Sequence, residues 1–439
     1  MTAFSVAPPS DLAAAFCLLL VFLVPLAGAG LALMNVGLGR ARSAAHTMLA
    51  ALCIFAVAAI AYLIFGFAWQ GFPGRPAHSF YLGGKAWNWI AAEPFFLRGL
   101  RLDGSPAALA ACLQIFSVGL AALIPLGSAA ERWRLRAICI STAVFAGWTY
   151  PLFAHWVWGG GWLAQLGSNY GIGHGFVDAG GSSSIHAVGG LTALAITWML
   201  GPRSGKFAAD RMPAAVPGHN AVLVLFGCLL TLIGWLGLNS AGALLFAGVE
   251  FHRLAAIAIN TFLGASAAAL TTAIITSTRF GKPDASLVAN GWVGGLVAGS
   301  AACAFVPPAS AIIIGAAAGA LIPFTVELLE LHLSTDDPGG AIPAHAICGI
   351  WGVLALGLFG RFPSSLPGSD SGQFFAQLLG VVTLLGFVLP MTYGLNWLID
   401  RIHPQRAPRD GERQGMDLCE LGADAYPEFV THTEDFWSR

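Results

Sequence analysis

The sequence predicts an all-α polytopic membrane protein with an inverted repeat of helices. Three observations lead to this fold class: the composition, a series of long apolar runs, and a pattern that occurs twice. Hydrophobic residues make up 56% of the 439 residues and charged residues only 10%, less than half of the roughly 25% found in soluble domains. The 55 glycines are scattered through apolar segments, as in membrane helices that pack closely through small residues.

Eleven apolar runs are long enough to cross a bilayer, which takes about 20 helical residues. No Lys or Arg precedes the first run, so it lacks the positive region of a cleavable signal peptide and is expected to stay as the first helix. The runs lie near residues 12–34, 44–68, 107–128, 137–157, 182–200, 220–238, 254–277, 285–303, 309–331, 342–360 and 375–399.

Basic residues cluster in alternate loops and therefore predict the orientation by the positive-inside rule. The opposite loops are rich in Trp, Gly and Pro, as in segments 86–90 and 155–162. We expect the amino terminus outside the cell (inner) membrane and the carboxyl terminus in the cytoplasm. Residues 1–401 form the predicted membrane domain and 402–439 a cytoplasmic tail. The basic residues are Arg40, Arg42, Arg132, Arg134, Arg136, Arg203, Lys206, Arg211, Arg279, Lys282, Arg401, Arg406, Arg409 and Arg413.

The pattern that occurs twice carries a histidine in each copy. Asp178 precedes His186 by eight residues and Asp337 precedes His345 by eight, and each histidine opens a His-Ala-[Val/Ile]-x-Gly-[Leu/Ile] run. The copies lie in the fifth and tenth predicted helices. The five crossings between them invert the topology, giving an inverted five-helix repeat whose equivalent elements meet near the membrane midplane.

Two symmetry-related histidines at the midplane indicate a pathway for a solute. A histidine within a membrane span is a functional candidate, although a packing histidine bonded to a backbone carbonyl is the simpler alternative. A neutral imidazole donates or accepts a hydrogen bond and titrates near neutral pH, which suits a small, weakly basic solute. A zinc site is disfavoured, because His186 and His345 lack a third nearby ligand. The sequence predicts no metal and no cofactor.

The two aspartates of the repeat precede the starts of their helices. Such positions favour helix capping, and for Asp337 the cap is the expected role. Asp178 follows the Trp-rich loop on the outer side, so its carboxylate could orient backbone around a cation entrance, although a cap alone would also explain it.

At this point the sequence resembles the ammonium transporter family (Amt/Mep/Rh), with the Amt branch the closer match. The likeness covers nearly the whole chain, and its motifs occur in the family's order. The matching motifs are Ala129-Ala-Glu-Arg132, Ala154-His-Trp-Val-Trp-Gly-Gly-Gly161, Leu200-Gly-Pro-Arg203, His219-Asn220, Gly234-Trp-Leu-Gly-Leu-Asn239, Asn260-Thr261, Gly281-Lys-Pro283 and Asp336-Asp-Pro338.

The resemblance implies eleven helices per protomer, a homotrimer and one narrow pore through each protomer. His186 and His345 match the paired pore histidines, Trp158 the vestibule tryptophan, and Asp178 the aspartate beneath it. In the family, ammonium is recruited outside, loses its proton and crosses as ammonia, and the histidines offer the proton a route. The face of Trp158 can attract a cation, whereas by position alone this residue would be an interfacial belt tryptophan.

The sequence departs from the family pattern at the outer entrance. The gating phenylalanine falls on Ser117, beside Phe116, and the outer vestibule phenylalanine falls on Leu113. The second gate phenylalanine falls on Leu238. The loss of these rings predicts a wider constriction unless Phe116 turns into it. One position along a helix rotates a side chain by about 100 degrees, so Phe116 does not take that place automatically.

The vestibule serine of the family falls on Gly242, with Ser240 as an alternative source of a hydroxyl. Aromatic faces and hydroxyls partly replace the hydration of an entering ammonium ion. Their loss predicts weaker cation capture and leaves selectivity against methylammonium and water open.

The polar tail resembles the family's regulatory tail, with Gly415-Met-Asp417 and Ala425-Tyr-Pro-Glu-Phe429. This implies docking across protomers and control by a trimeric PII-type signalling protein, whereas the composition alone would also allow a disordered tail. The net charge of -1 offers no basic field for nucleic acid.

The predicted function is ammonium or ammonia transport. An ammonium sensor with little conduction and an Rh-like channel for neutral gas are the alternatives, and the lost gate rings favour the latter. An enzyme is not expected, because no nucleophile–base pair, phosphate loop or metal set occurs in the sequence.

Overall fold

The computed structural model describes residues 10–363 and 368–427, which are mostly helical. Ten of the helices are long and apolar enough to cross a bilayer, and α8 is shorter. In chain order they are α1 (Asp11–Leu38), α2 (Ala41–Gln70), α3 (Pro106–Ala129), α4 (Leu135–Val157), α5 (Ser182–Leu200), α6 (Ala221–Phe246), α7 (Phe251–Phe280), α8 (Ala285–Ser300), α9 (Pro308–His332), α10 (Ile342–Phe359) and α11 (Gln373–Ile402).

Helix α8 corresponds to the predicted span 285–303. Its 16 residues extend about 24 Å, less than the hydrocarbon thickness of about 30 Å. Val293, Leu296 and Val297 are fully buried, so protein rather than lipid surrounds this helix and its length need not match the bilayer. The fold class is confirmed, whereas the count of eleven crossings stays a prediction.

The first helices of the two predicted halves, α1 and α6, pack closely through glycines. A Cβ atom on Gly30 would lie 2.5 Å from the Gly227 carbonyl oxygen, and one on Gly227 would lie 2.5 Å from the Gly30 carbonyl oxygen. This reciprocal contact explains why glycines occur inside apolar helices here, since small residues let two backbones approach.

Two antiparallel strands follow α2, namely β1 (Ala77–Leu82) and β2 (Lys85–Ala91). We expected the Trp-rich segment 86–90 only as an inter-helix loop, and the structure places it in β2. Trp89 falls at an irregularity of the ladder, between the pairs His78–Ile90 and Ser79–Asn88. Trp87 is buried, whereas Trp89 is half exposed and contacts the Trp156 ring at a centroid distance of 5.0 Å. A short helix, Leu166–Tyr170, follows α4.

Motifs that are distant in sequence meet in a buried ion cluster beside the ends of α3 and α5. Arg203 donates to Glu131 at 2.8 Å and to Asp336 at 2.9 Å, and Arg132 donates to the Asp336 carbonyl oxygen at 2.8 Å. Burial alone would raise the pKa of Asp336, but the Arg203 hydrogen bonds and the two guanidinium charges hold this pKa below its ordinary value.

The described part of the tail folds onto the same ends of the helices. It contains two short helical segments, Arg409–Gln414 and Asp417–Leu421. The Asp417 carboxylate accepts hydrogen bonds from two backbone N–H groups near the start of α2, those of Ala45 (3.1 Å) and His46 (2.7 Å). Residues 428–439, including the end of the predicted 425–429 motif, lie outside the described residues.

Candidate functional site

The two copies of the repeat meet where α5 and α10 cross. A Cβ atom on Gly190 would overlap the Ala346 backbone nitrogen, and one on Gly349 would lie 3.0 Å from the Ala187 Cβ atom. Each glycine follows its histidine by four residues, and each alanine directly follows the histidine of the other copy. The repeated His-Ala-x-x-Gly pattern therefore encodes a close, reciprocal helix crossing.

This crossing brings His186 and His345 together. Their ring centroids are 5.4 Å apart, and the residues are 0% and 4% exposed. Three of the ring nitrogens have no hydrogen-bond partner among the described residues: Nδ1 and Nε2 of His186, and Nδ1 of His345. Buried polar atoms normally have partners, and leaving one unpaired costs about 1–3 kcal/mol. These nitrogens are thus available to a solute.

Trp235 stacks on the first histidine. Its ring lies parallel to the His186 ring, with a centroid distance of 4.8 Å and an interplanar angle of 8°. The indole N–H of Trp235 donates to the Ser300 hydroxyl at 3.2 Å, so the ring is held from α8. Sequence reasoning included Trp235 in a family motif but did not select it as a site residue.

Asp178 is a multiple cap at the start of α5. Its carboxylate accepts backbone hydrogen bonds from Gly181 (2.8 Å), Ser182 (2.9 Å), Ser183 (2.8 Å) and Ser184 (3.0 Å). The hydroxyls of both Ser183 and Ser184 also donate to it. A carboxylate bound in this way stabilises the half-helix that carries the histidine.

Asp337 has the equivalent position before α10 but fewer partners. Its carboxylate accepts from the Ala341 N–H (3.1 Å), the Ile342 N–H (2.8 Å) and the Ser128 hydroxyl (2.7 Å). Burial holds the pKa of Asp337 above its ordinary value. The geometry is that of a helix cap.

Trp158 lies directly outside the Asp178 cap. Its indole N–H donates to the Asp178 carbonyl oxygen at 2.7 Å. One face of its ring is covered by Phe246, with a centroid distance of 4.6 Å and an interplanar angle of 11°. The predicted vestibule tryptophan is therefore next to the predicted aspartate, but the ring that covers it was not predicted.

One stripe of α6 connects the histidine pair to this tryptophan. Trp235, Leu238, Gly242 and Phe246 are spaced by three or four residues and therefore share a helix face. A Cβ atom on Gly242 would lie 2.5 Å from the Ala179 carbonyl oxygen, so a serine would not fit there without a shift. This helical spacing was the sequence signal that could have identified Phe246.

Ser240 lies on a different face of α6 from the position of the missing serine. Two residues along a helix turn a side chain by about 200 degrees, so Ser240 faces away from the stripe that contains Gly242. Ser240 is buried, and the spacing of α6 separates its hydroxyl from the covered Trp158 ring.

The positions that align with the family's gate and vestibule phenylalanines, two on α3 and one on α6, are buried and carry no aromatic ring. Ser117 is fully buried, and its hydroxyl donates to the Leu113 carbonyl oxygen at 2.9 Å within the helix. Leu113 and Leu238 are both 1% exposed. Phe116 packs against the apolar core, and the ring contacts found among the described residues do not pair it with Trp158.

A small cavity lies beside His345, next to the Asp337 cap. It is lined by Asn35, Asn290 and His345 together with the glycines of the Asp337 cap, and its volume is about 10 Å³, roughly the room for one water molecule. The described residues contain no group of three or more His, Cys, Asp or Glu side chains that could hold a metal ion.

Polytopic helices and a buried histidine pair contributed by the two copies of a repeat are typical of the class of membrane transporters and channels. The family model for the Ammonium Transporter Family matches residues 15–426. The chain belongs to this family.

Similar proteins agree with this assignment over most of the chain. The ammonium transporter Amt2 of Archaeoglobus fulgidus is 36% identical, over 94% of this chain and 88% of that protein. A solved structure titled "Sensor Amt Protein" has a TM-score of 0.82 at 25% identity, covering 93% of this chain and 97% of its own. Candida albicans Mep2 has a TM-score of 0.76 at 24% identity, covering 95% and 92%, which shows the fold alone.

Proposed function

We propose that this protein carries ammonium or ammonia across the membrane past the His186–His345 pair. The observation that supports this most directly is the set of unpartnered imidazole nitrogens in an apolar surrounding. A neutral imidazole can donate to ammonia or accept from it. Two adjacent buried imidazoles disfavour double protonation, so at most one proton resides on the pair.

Substrate enters from the Trp158 side. Trp158 contributes an aromatic face for the cation, and the Asp178 cap aligns the start of α5 beneath it. Deprotonation takes place between this vestibule and the histidines, because the buried pathway disfavours a charged solute. Since Gly242 and Ser240 provide no hydroxyl on the stripe, ammonium is captured with lower affinity than in relatives that retain the family pattern.

The experiment is an ammonium-gradient measurement on proteoliposomes. Wild-type protein produces current or uptake, and His186→Ala and His345→Ala reduce it. His252→Ala is the matched control, since the His252 side chain is 70% exposed. Equal traces for the wild type and both pore variants would refute the role of the pair, and a silent wild type would refute transport.

A sensor with little conduction is the second candidate function. It is supported by the likeness to the structure titled "Sensor Amt Protein" and by the covered face of Trp158. A protein that binds ammonium in calorimetry without producing current or uptake would be assigned to this class. Carbon dioxide and ammonia gradients in a light-scattering assay test for an Rh-like neutral gas channel.

The proposed orientation follows from the charge pattern, and the proposed partners follow from the likeness to the ammonium transporter family. The cytoplasmic side carries the Arg-rich loops and the tail, which contact each other through Glu412 and Ser204 (2.9 Å), and the amino terminus lies outside the inner membrane. The assembly is a homotrimer, and the tail at residues 402–439 is the surface for a PII-type regulator. Size-exclusion light scattering and a pull-down with a PII protein test these two proposals.

A further inference from the structure

Phe246 is an aromatic residue at the entrance that the family pattern does not assign. It is the last residue of α6 and lies flat on the Trp158 ring, with a centroid distance of 4.6 Å. Trp158 is only 4% exposed. A cation is attracted to a ring from a position above its face, within about 6 Å of the centroid. Two rings stacked at this distance leave no room for an ion between them.

Trp158 is the fixed member of this pair. Its indole N–H donates to the Asp178 carbonyl oxygen, and its backbone N–H donates to the Ala154 carbonyl oxygen, each at 2.7 Å. Both bonds are independent of Phe246. The indole therefore keeps its place when the phenyl ring moves.

Phe246 is the member that can move. It is at the very end of its helix, where Ala247 bonds back to Ala243 at 3.2 Å and Gly248 follows with a φ of 62°. Terminal helical turns fray more easily than helix interiors. A phenyl ring also has no hydrogen bond to break when it leaves.

We propose that Phe246 is a lid that determines affinity and selectivity at the entrance. It covers Trp158 at rest and moves aside to admit a cation of ammonium size. The ring lies on the same stripe of α6 as Leu238 and Gly242, where aromatic and hydroxyl groups of the family pattern are missing, so it supplies the aromatic bulk of this entrance. Methylammonium needs a wider opening because of its methyl group. This inference rests on the proposed function.

The Trp158–Phe246 stack predicts how much the loss of the Phe246 ring should change the apparent affinity for ammonium. A stacked aromatic pair is stabilised by an amount equivalent to about 2- to 10-fold in an equilibrium constant. A binding-competent state that is only partly populated weakens apparent affinity by that same factor. Phe246→Ala is thus expected to lower the half-saturating ammonium concentration by about 2- to 10-fold and to raise methylammonium uptake relative to ammonium uptake.

The test compares concentration-dependent currents in proteoliposomes for wild type, Phe246→Ala and Phe246→Leu, with ammonium and with methylammonium. Phe246→Leu retains apolar volume without a stacking ring. Like Phe246→Ala, it should lower the half-saturating ammonium concentration and raise methylammonium uptake relative to ammonium uptake. Phe251→Ala is the matched control, since Phe251 follows closely in sequence and its ring contacts Phe16 at 6.0 Å; it should match the wild type.

An unchanged half-saturating concentration in both Phe246 variants would overturn the lid. A raised one would also overturn it, because Phe246 would then be a binding surface rather than a cover. If the wild type itself carries no current, the proposed function fails, and calorimetric ammonium binding to the same variants decides the lid separately: tighter binding supports it and equal or weaker binding refutes it.

Discussion

Asparagine in place of Asp178 tests whether this carboxylate is chiefly a helix cap. Each carboxylate oxygen accepts two backbone N–H groups, Gly181 and Ser182 on one and Ser183 and Ser184 on the other. The asparagine amide presents one oxygen and one NH₂ group. Whichever way it is turned, two buried N–H groups lose their acceptor.

The expected loss of folding stability follows from these two lost hydrogen bonds. A hydrogen bond to a charged group is worth about 1.5–3 kcal/mol, so Asp178→Asn should destabilise the fold by about 3–6 kcal/mol. The symmetry-related variant Asp337→Asn is the matched control. Each oxygen of Asp337 accepts one backbone N–H, so only one is lost, at about 1.5–3 kcal/mol.

Thermal unfolding of the detergent-purified variants measures both effects. The apparent melting temperature should fall in the order wild type, Asp337→Asn, Asp178→Asn. An equal or reversed order of the two variants would refute this hydrogen-bond account. If Asp178→Asn kept wild-type stability but lost ammonium uptake, the carboxylate would act on the cation directly and the cap would be secondary.

Three further predictions concern the crossing, the histidine stack and the tail. Gly349→Ala places a Cβ atom 2.5 Å from the Ser182 carbonyl oxygen and should cost about 1–3 kcal/mol of stability, measured by thermal unfolding. Trp235→Leu removes the ring stacked on His186 and should reduce ammonium uptake by about 2- to 10-fold; unchanged uptake would contradict a positioning role. The carboxylate of Glu420 in the tail accepts a hydrogen bond from the Leu135 N–H at 2.7 Å and lies 3.2 Å from Nε2 of His46. Burial alone would raise the pKa of Glu420, but these hydrogen bonds hold it below its ordinary value. The undocked tail therefore binds more protons, so docking persists at neutral pH and is lost as the pH falls through that lowered pKa. Limited proteolysis between pH 7 and about pH 3 should show the tail becoming cleavable at the acidic end, whereas Glu420→Gln should make it cleavable already at pH 7.

The membrane fold and the histidine pair follow from local sequence properties. Long apolar runs predict membrane-spanning helices, because each apolar residue favours transfer into lipid. The repeated Asp-x7-His-Ala pattern predicts that the start of one helix is duplicated in a second. Neither needs knowledge of which helices touch. The family resemblance then assigned His186, His345, Trp158 and Asp178 to roles that stay proposals.

Other features depended on contacts between distant segments. Helix α8 ends at Ser300 and its central residues are buried in protein, whereas hydropathy alone predicted a span to residue 303 and does not distinguish burial in protein from burial in lipid. Strand β2 forms because Lys85–Ala91 pairs with a neighbouring strand, and a Trp-rich composition does not encode that pairing.

At the entrance, the sequence and the tertiary structure each determined a different feature. The sequence by itself determined that the aligned gate rings are absent, since Ser117 and Leu238 can be identified position by position. Only the tertiary structure decided what covers Trp158, because the stack with Phe246 joins α6 to the end of α4. Contacts between helices depend on how their axes cross and rotate, and local propensity does not specify that geometry.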